Sequence, residues 1–204
     1  MFFEFLRVRD WLIANNNPDL LYLLENVKPR RKEYLDVMSQ CVGCNPIVID
    51  SALVSAQRRV RYYWTDINGG NISQPEDKHI LIQDVIEDLN YKVVDKPEIE
   101  PYKVKAPNYW KWKFPTDKYQ TQTNRAYFMD GKMCTLSKTR CDANTLVHIG
   151  GTRYKHTTPI EFERYQTLPD NYTAIVPSAA KRMGMVGDGW TVDVIAHIFN
   201  YLKK

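Results

Sequence analysis

The chain has 204 residues, 44% of them apolar and 25% charged, enough to bury a full core in one domain plus a smaller appended one. Its net charge of +4 points only weakly to a polyanionic partner. No stretch approaches the roughly 20 apolar residues of a membrane span, and the charge-broken start Met1-Phe2-Phe3-Glu4-Phe5-Leu6-Arg7 is no secretory leader, so a cytoplasmic location without a membrane partner is expected.

Apolar residues Phe2, Phe5, Leu6, Trp11, Leu12 and Ile13 recur at helical spacing and predict a helix over 2–15, stopped by Asn15-Asn16-Asn17-Pro18. Leu20-Leu21-Tyr22-Leu23-Leu24 reads as a buried strand of a parallel sheet, apolar at every position, and runs into Glu25-Asn26-Val27. A second helix is expected from Lys32 to about Ser39, closed near Gly43, followed by a short strand at 46–49. Helix, strand, helix, strand is the order of an α/β sheet. Residues 60–64 predict another strand and 80–89 a short amphipathic helix.

From about 90 to 155 the character changes. Pro97, Pro101, Pro107 and Pro115 interrupt the periodicity, and Asp130-Gly131 and Gly150-Gly151 mark turns, so this stretch reads as β-rich or irregular. Lys103, Lys105, Lys111 and Lys113 alternate here with Tyr102, Tyr109, Trp110 and Trp112. Cations neutralise phosphates and aromatic faces stack on bases, which suits nucleic acid. An edge strand with lysines outward and aromatics packed inward accounts for the same pattern. Thr158-Pro159-Ile160-Glu161 then has the makings of a capping box with proline at the first helical position. Further helices are expected over 178–185 and after Gly187-Asp188-Gly189, the last with Trp190, Val194, Ile195, Ile198 and Leu202 on one side.

Cys41 and Cys44 form a C-x-x-C pair, but a structural zinc needs four ligands, and Cys134 and Cys141 lie at a spacing that fits neither ribbon nor finger. Reduced thiols and no metal are expected. Glu25 stands at a strand end, where open α/β sheets bind ligands. Gln57, Arg59 and Arg61 alternate and would share one face of a strand, either lining a site or facing solvent.

Several segments together resemble the DNA cytosine-5 methyltransferases, with a bacterial and phage flavour. They are Phe2-Phe3-Glu4-Phe5, Leu24-Glu25-Asn26-Val27, Cys44-Asn45-Pro46-Ile47-Val48-Ile49-Asp50 and the run from Val54-Ser55-Ala56-Gln57-Arg58-Arg59-Val60-Arg61 to Trp64. Residues 158–173 are similar to the family's ninth motif and 187–198 to its tenth. The resemblance implies a partial Rossmann-like α/β methyltransferase sheet with an inserted, β-rich target-recognition domain. The chain would be the C-terminal part of such an enzyme, with residues 1–67 the C-terminal half of the catalytic α/β core, 68–153 the target-recognition insert and 154–204 the return to the core. It implies double-stranded DNA as partner and S-adenosylmethionine as cofactor. The target base is flipped from the duplex and a cysteine thiolate adds to its C6. Glu25 would hold N3 of that base and Asn26 shape its loop. Arg61 would reach O2, Arg59 orient Glu25, and Gln57 support the pocket. Asp188, Gly189 and Trp190 would touch the cofactor, and Lys103, Lys105, Lys111 and Lys113 the DNA.

Three departures from the family pattern stand out. No Pro-Cys-Gln occurs in the 204 residues, because Cys44-Asn45-Pro46 follows the Glu-Asn-Val segment that the nucleophile should precede. No F-x-G-x-G cofactor loop is present. Asp188 stands where the family has Asn, and its charge would weaken cofactor binding unless the ligand's ammonium lies closer. The expectation is a split enzyme, in which a complementary N-terminal methyltransferase chain supplies nucleophile and cofactor loop. The alternative is a non-catalytic DNA-binding or regulatory remnant. An unrelated nucleotide-binding protein fits poorly, since the chain has no phosphate loop.

Overall fold

The computed structural model describes residues 2–15, 17–96, 100–102, 111–113, 126–138 and 145–203. The chain divides into two units, one of residues 1–50, 60–74 and 196–204, the other of residues 51–59 and 75–195.

The first unit opens on helix α1 (Phe2–Asn15), as its periodicity predicts. Strand β1 (Leu23–Asn26), helix α2 (Lys32–Val42), strand β2 (Ile47–Asp50) and strand β3 (Val60–Thr65) follow. Gly43 ends α2 in the left-handed conformation (φ 92°) and donates its N–H to the Ser39 carbonyl, a backbone state that costs glycine little. The sheet order is β1-β3-β2, with β3 antiparallel to both neighbours. The expected parallel sheet is corrected in this respect: β1 and β2 run the same way, but β3 lies between them. The apolar run at 20–24 is likewise not a buried central strand. Strand structure begins only at Leu23, and all four β1 residues are partly exposed at the sheet edge. Leu24 sits opposite Trp64, and this pair joins Leu6, Phe2 and Phe5 of α1 and Leu35, Met38 and Val42 of α2 in one apolar cluster. The Trp64 indole N–H donates to Ser39 Oγ at 3.1 Å. Arg9 donates to the Val42 carbonyl at 2.9 Å, a cation on the negative end of α2.

The second unit is built on a four-stranded sheet of order β4-β9-β8-β7. Its strands are β4 (Val93–Asp95), β7 (Ala126–Phe128), β8 (Leu146–Gly150) and β9 (Arg153–His156); β5 (Glu100–Tyr102) and β6 (Lys111–Lys113) form a separate antiparallel pair. The Gly150-Gly151 turn joins β8 to β9, both glycines at positive φ. Ala56, Ile82, Tyr127, Met133, Val147, Phe162, Tyr165, Met183 and Val186 form the core.

The helix expected over 80–89 is a single turn, α3 (Ile82–Val85). A salt bridge explains its shortness. Lys155 Nζ reaches both oxygens of Glu161, the pair being wholly buried. Glu161 Oε1 also accepts the Glu87 N–H at 3.0 Å, the donor a longer helix would need for itself. The same carboxylate accepts Thr158 N–H at 2.9 Å, and Thr158 Oγ1 accepts Glu161 N–H at 3.1 Å. This closes the predicted capping box of α4 (Pro159–Tyr165). Helix α5 (Ala179–Asp188), capped by Ser178, extends past its predicted end into the Gly187-Asp188 pair. Helix α6 (Val192–Phe199) buries Val194, Ile195 and Ile198, whereas Trp190 and Leu202 are about half exposed, so its apolar stripe is shorter than expected.

Glu163 is held by Asn171 N–H (2.6 Å), Thr173 N–H (2.9 Å) and Arg182 Nη2 (2.9 Å). Burial works against its ionisation, but the bonds from Thr173 and Arg182 outweigh it and hold the carboxyl below the usual carboxylate range.

Two measurements follow from these carboxylates. Lys155→Met strands a buried charge and should cost about 3–5 kcal/mol in urea unfolding; a loss under about 1 kcal/mol would show that the pair is dispensable. The depressed value of Glu163 contributes stability above the ordinary glutamate range, about 4.3, and loses it as pH falls through the lowered folded value. Glu163→Gln should therefore flatten the acid limb of a plot of stability against pH, and an unaltered limb would contradict the assignment.

Candidate functional site

Glu25 and Arg61 meet across the β1–β3 ladder. Glu25 pairs with Tyr63 in register, and Arg61 lies two residues along on the same face, a diagonal neighbour within reach of a long side chain. Arg61 Nε stands 2.8 Å from Glu25 Oε1, with 12% and 17% of the two side chains exposed. The contact is an ion pair out of line for a hydrogen bond, so the buried Oε1 accepts none among the described residues. Arg61 Nη1 turns back to the Val60 carbonyl at 2.9 Å. Asn26 Oδ1 accepts the Val27 N–H at 2.8 Å and so fixes the bend at which β1 ends.

Gln57 and Arg59 do not join this pair. The alternation that would place residues 57, 59 and 61 on one strand face fails because β3 starts at Val60, and residues 51–59 belong to the second unit. Within the first unit the charged partner of Glu25 is Arg61. Arg59 instead binds backbone carbonyls: Leu136 at 3.2 Å, Gly187 at 3.4 Å and Gly189 at 2.8 Å. Gln57 is fully buried, donating to the Tyr165 carbonyl at 3.1 Å and to Gln166 Oε1 at 3.2 Å, and accepting Leu136 N–H at 2.8 Å. Gln166, which the sequence did not single out, completes the web. It donates to the Val186 and Gly189 carbonyls at 3.0 and 3.3 Å and accepts from Thr191 Oγ1 at 2.7 Å.

These bonds shape the stretch Asp188-Gly189-Trp190. Lys138 Nζ lies 2.8 Å from Asp188 Oδ2. Asp188 in turn pushes the Lys138 ammonium up from its ordinary value. The charge expected to repel a cofactor is therefore balanced within the chain. Asp188 is engaged by Lys138 and the Gly189 carbonyl by Arg59 and Gln166, while the Asp188 side chain and the Trp190 ring are both about half exposed.

The model for the C-5 cytosine-specific DNA methylases matches residues 47–204. The chain belongs to this family. The match takes in Gln57, Arg59, Arg61 and the stretch 188–190, while Glu25 and Asn26 precede it. Two solved structures show the same fold. One is the Entamoeba histolytica methyltransferase EhMeth, 14% identical, with a TM-score of 0.59 over 98% of this chain and 70% of that one. The other is an E. coli prophage protein assigned as a DNA modification methyltransferase, 14% identical, with a TM-score of 0.54 over 95% of this chain and 72% of its own.

Of the methylase residues expected to touch DNA, Lys103 and Lys105 lie outside the described residues. The backbone of Lys111 and Lys113 is placed in β6, in register with Tyr102 and Glu100. Cys141 is also outside the described residues. Cys41 is exposed, and Cys44 lies 3.6 Å from the Tyr22 hydroxyl. Among the described residues no three His, Cys, Asp or Glu side chains converge as metal ligands, and no helix is long and apolar enough to cross a membrane.

Gly187 lets this polar web close. A Cβ there would meet the Ser137 carbonyl oxygen at 2.5 Å and its carbon at 2.6 Å, both main-chain atoms. Gly187→Ala should therefore force the backbone apart and cost about 1–3 kcal/mol in thermal or urea unfolding; a neutral result would show that residues 137 and 138 give way freely.

Proposed function

We propose that this methylase chain holds the target base of a DNA cytosine-5 methyltransferase and works with a complementary methyltransferase polypeptide. That polypeptide supplies the nucleophilic cysteine and the loop for S-adenosylmethionine, which donates the methyl group. The observation that carries the reading is the Glu25–Arg61 pair: a carboxylate held at Oε1 by a guanidinium, with 17% of its side chain still exposed.

The chemistry requires such a group. C5 of cytosine is a weak nucleophile until a thiolate adds to C6, and as it adds negative charge gathers on N3 and O2. A carboxyl group held beside N3 can share or deliver the proton that neutralises this charge, and a cation beside O2 stabilises what remains. Glu25 fits the first role and Arg61 the second, with Asn26 holding the loop between strand and pocket. Arg59 and Gln57 act as braces for backbone rather than as groups that touch the base. The inserted stretch 68–153, with Lys103, Lys105, Lys111 and Lys113, reads the DNA. Neither Pro-Cys-Gln nor the cofactor loop is among the 204 residues, and the pair Glu25–Arg61 has no evident use in a protein that only binds DNA.

The test is transfer of tritiated methyl to mixed-sequence DNA, assayed with the chain alone and then mixed with a fragment bearing Pro-Cys-Gln and the cofactor loop. Activity is expected in the mixture only, and Glu25→Gln or Arg61→Ala should lower it by about a hundredfold or more while DNA binding survives. Full turnover by Glu25→Gln would sink the role given to the pair. A stable complex that transfers no methyl would return the chain to a non-catalytic DNA-binding role.

A further inference from the structure

The loop that leaves Glu25 carries a second feature. Residues 27–32 read Val-Lys-Pro-Arg-Arg-Lys, four cations in five positions from Lys28. Lys28, Arg30, Arg31 and Lys32 are all exposed. Among the described residues none of the four has a carboxylate partner, although Glu33 and Asp36 stand close in sequence. Arg31 stands over the Tyr34 ring, 5.9 Å from its centroid.

This charge does nothing for the fold. Residues 30–32 lie at the start of α2, with Arg31 at the N-cap making no side-chain cap bond. A helix start carries partial positive charge and favours anions, so cations there oppose the dipole. A solvated face would intersperse acids among the bases, as α1 does by pairing Arg7 with Glu4. Here the repulsion among four cations and the dipole is left for an external anion to relieve.

Position decides which anion. Lys28 follows Glu25 by three residues, at most about 10 Å of extended chain, and Asn26 and Pro29 limit how that chain bends. A nucleotide whose base reaches Glu25 brings its own flanking phosphates to the neighbourhood of this loop. We infer that residues 28–32 are a phosphate-contacting loop that grips the DNA strand on either side of the base held by Glu25 and Arg61. The inference rests on the function proposed above and adds a DNA contact outside the inserted stretch. Such contacts set register and contribute affinity without reading sequence.

The test uses the whole chain and a short, labelled mixed-sequence duplex, titrated over a range of salt. Each phosphate contact adds about 0.9 to the slope of log affinity against log salt, so the variant Lys28→Gln/Arg30→Gln/Arg31→Gln/Lys32→Gln should lose about 3 to 4 from it. The loss should be equal for duplexes of unrelated sequence. The variant should also melt no lower than the wild type, since it removes charge that opposes the α2 dipole. An unchanged slope in a wild-type chain that does bind would overturn the loop assignment alone. A wild-type chain that binds no duplex, even with the complementary fragment, would overturn the proposed function and this inference with it. Loss of the complex with that fragment at an unchanged slope would make the loop a protein contact. A sharply lower melting point would make the cations structural. Either result overturns the inference.

Discussion

The second unit depends on one fully buried ion pair. Two charges are removed from water at a cost that their mutual attraction alone seldom repays. Glu161 recovers the difference by taking on further donors: the backbone N–H groups of Glu87 and Thr158 complete a shell that Lys155 begins. One carboxylate thus joins strand β9, the start of α4 and the segment after α3. The three must be in place together or the charge is left bare, which makes this part of the structure cooperative. It also fixes where α4 begins and hence where its far end delivers Tyr165 and Gln166.

From that end a second polar layer grows. Gln57, Arg59, Gln166 and Thr191 are all buried, and what they bind is largely main chain: the carbonyls of residues 136, 165, 186, 187 and 189. Side chains that read backbone in this way fix the path of the chain rather than the identity of its side chains. Arg59 therefore braces backbone carbonyls, whereas Arg61, two residues later, pairs with a carboxylate. Spacing in a motif does not reveal that division of labour; only the partners of each guanidinium do.

Local features were the most legible in the sequence. The helix at 2–15, the glycine stop at residue 43, the Gly150-Gly151 turn and the capping box at Thr158 each depend on contacts a few residues apart, and each stands where its residues indicated. Features that depend on distant partners were not. An all-apolar run suits a central strand or a partly covered edge equally well, and the sheet order that decides between them is set by residues 60–65. The helix expected at 80–89 has adequate periodicity, yet a carboxylate 74 residues away takes the N–H it would need. Glu25 and Arg61 stood out in the sequence because their types suit a known chemistry, and the two do meet as an ion pair. Lys155 and Gln166 carry no such signature, and a lysine on the inward side of a strand was the one available hint.

Gly187 has a consequence for how the sequence can vary. The segment opposite it, residues 137 and 138, is held by main-chain proximity, so its side chains are not what secures the contact. Those two positions can drift through many residue types while position 187 cannot leave glycine. The Lys138 side chain reaches from this segment to neutralise Asp188. Both side chains are more than half exposed, so this pairing sets the local charge of the turn rather than holding its backbone.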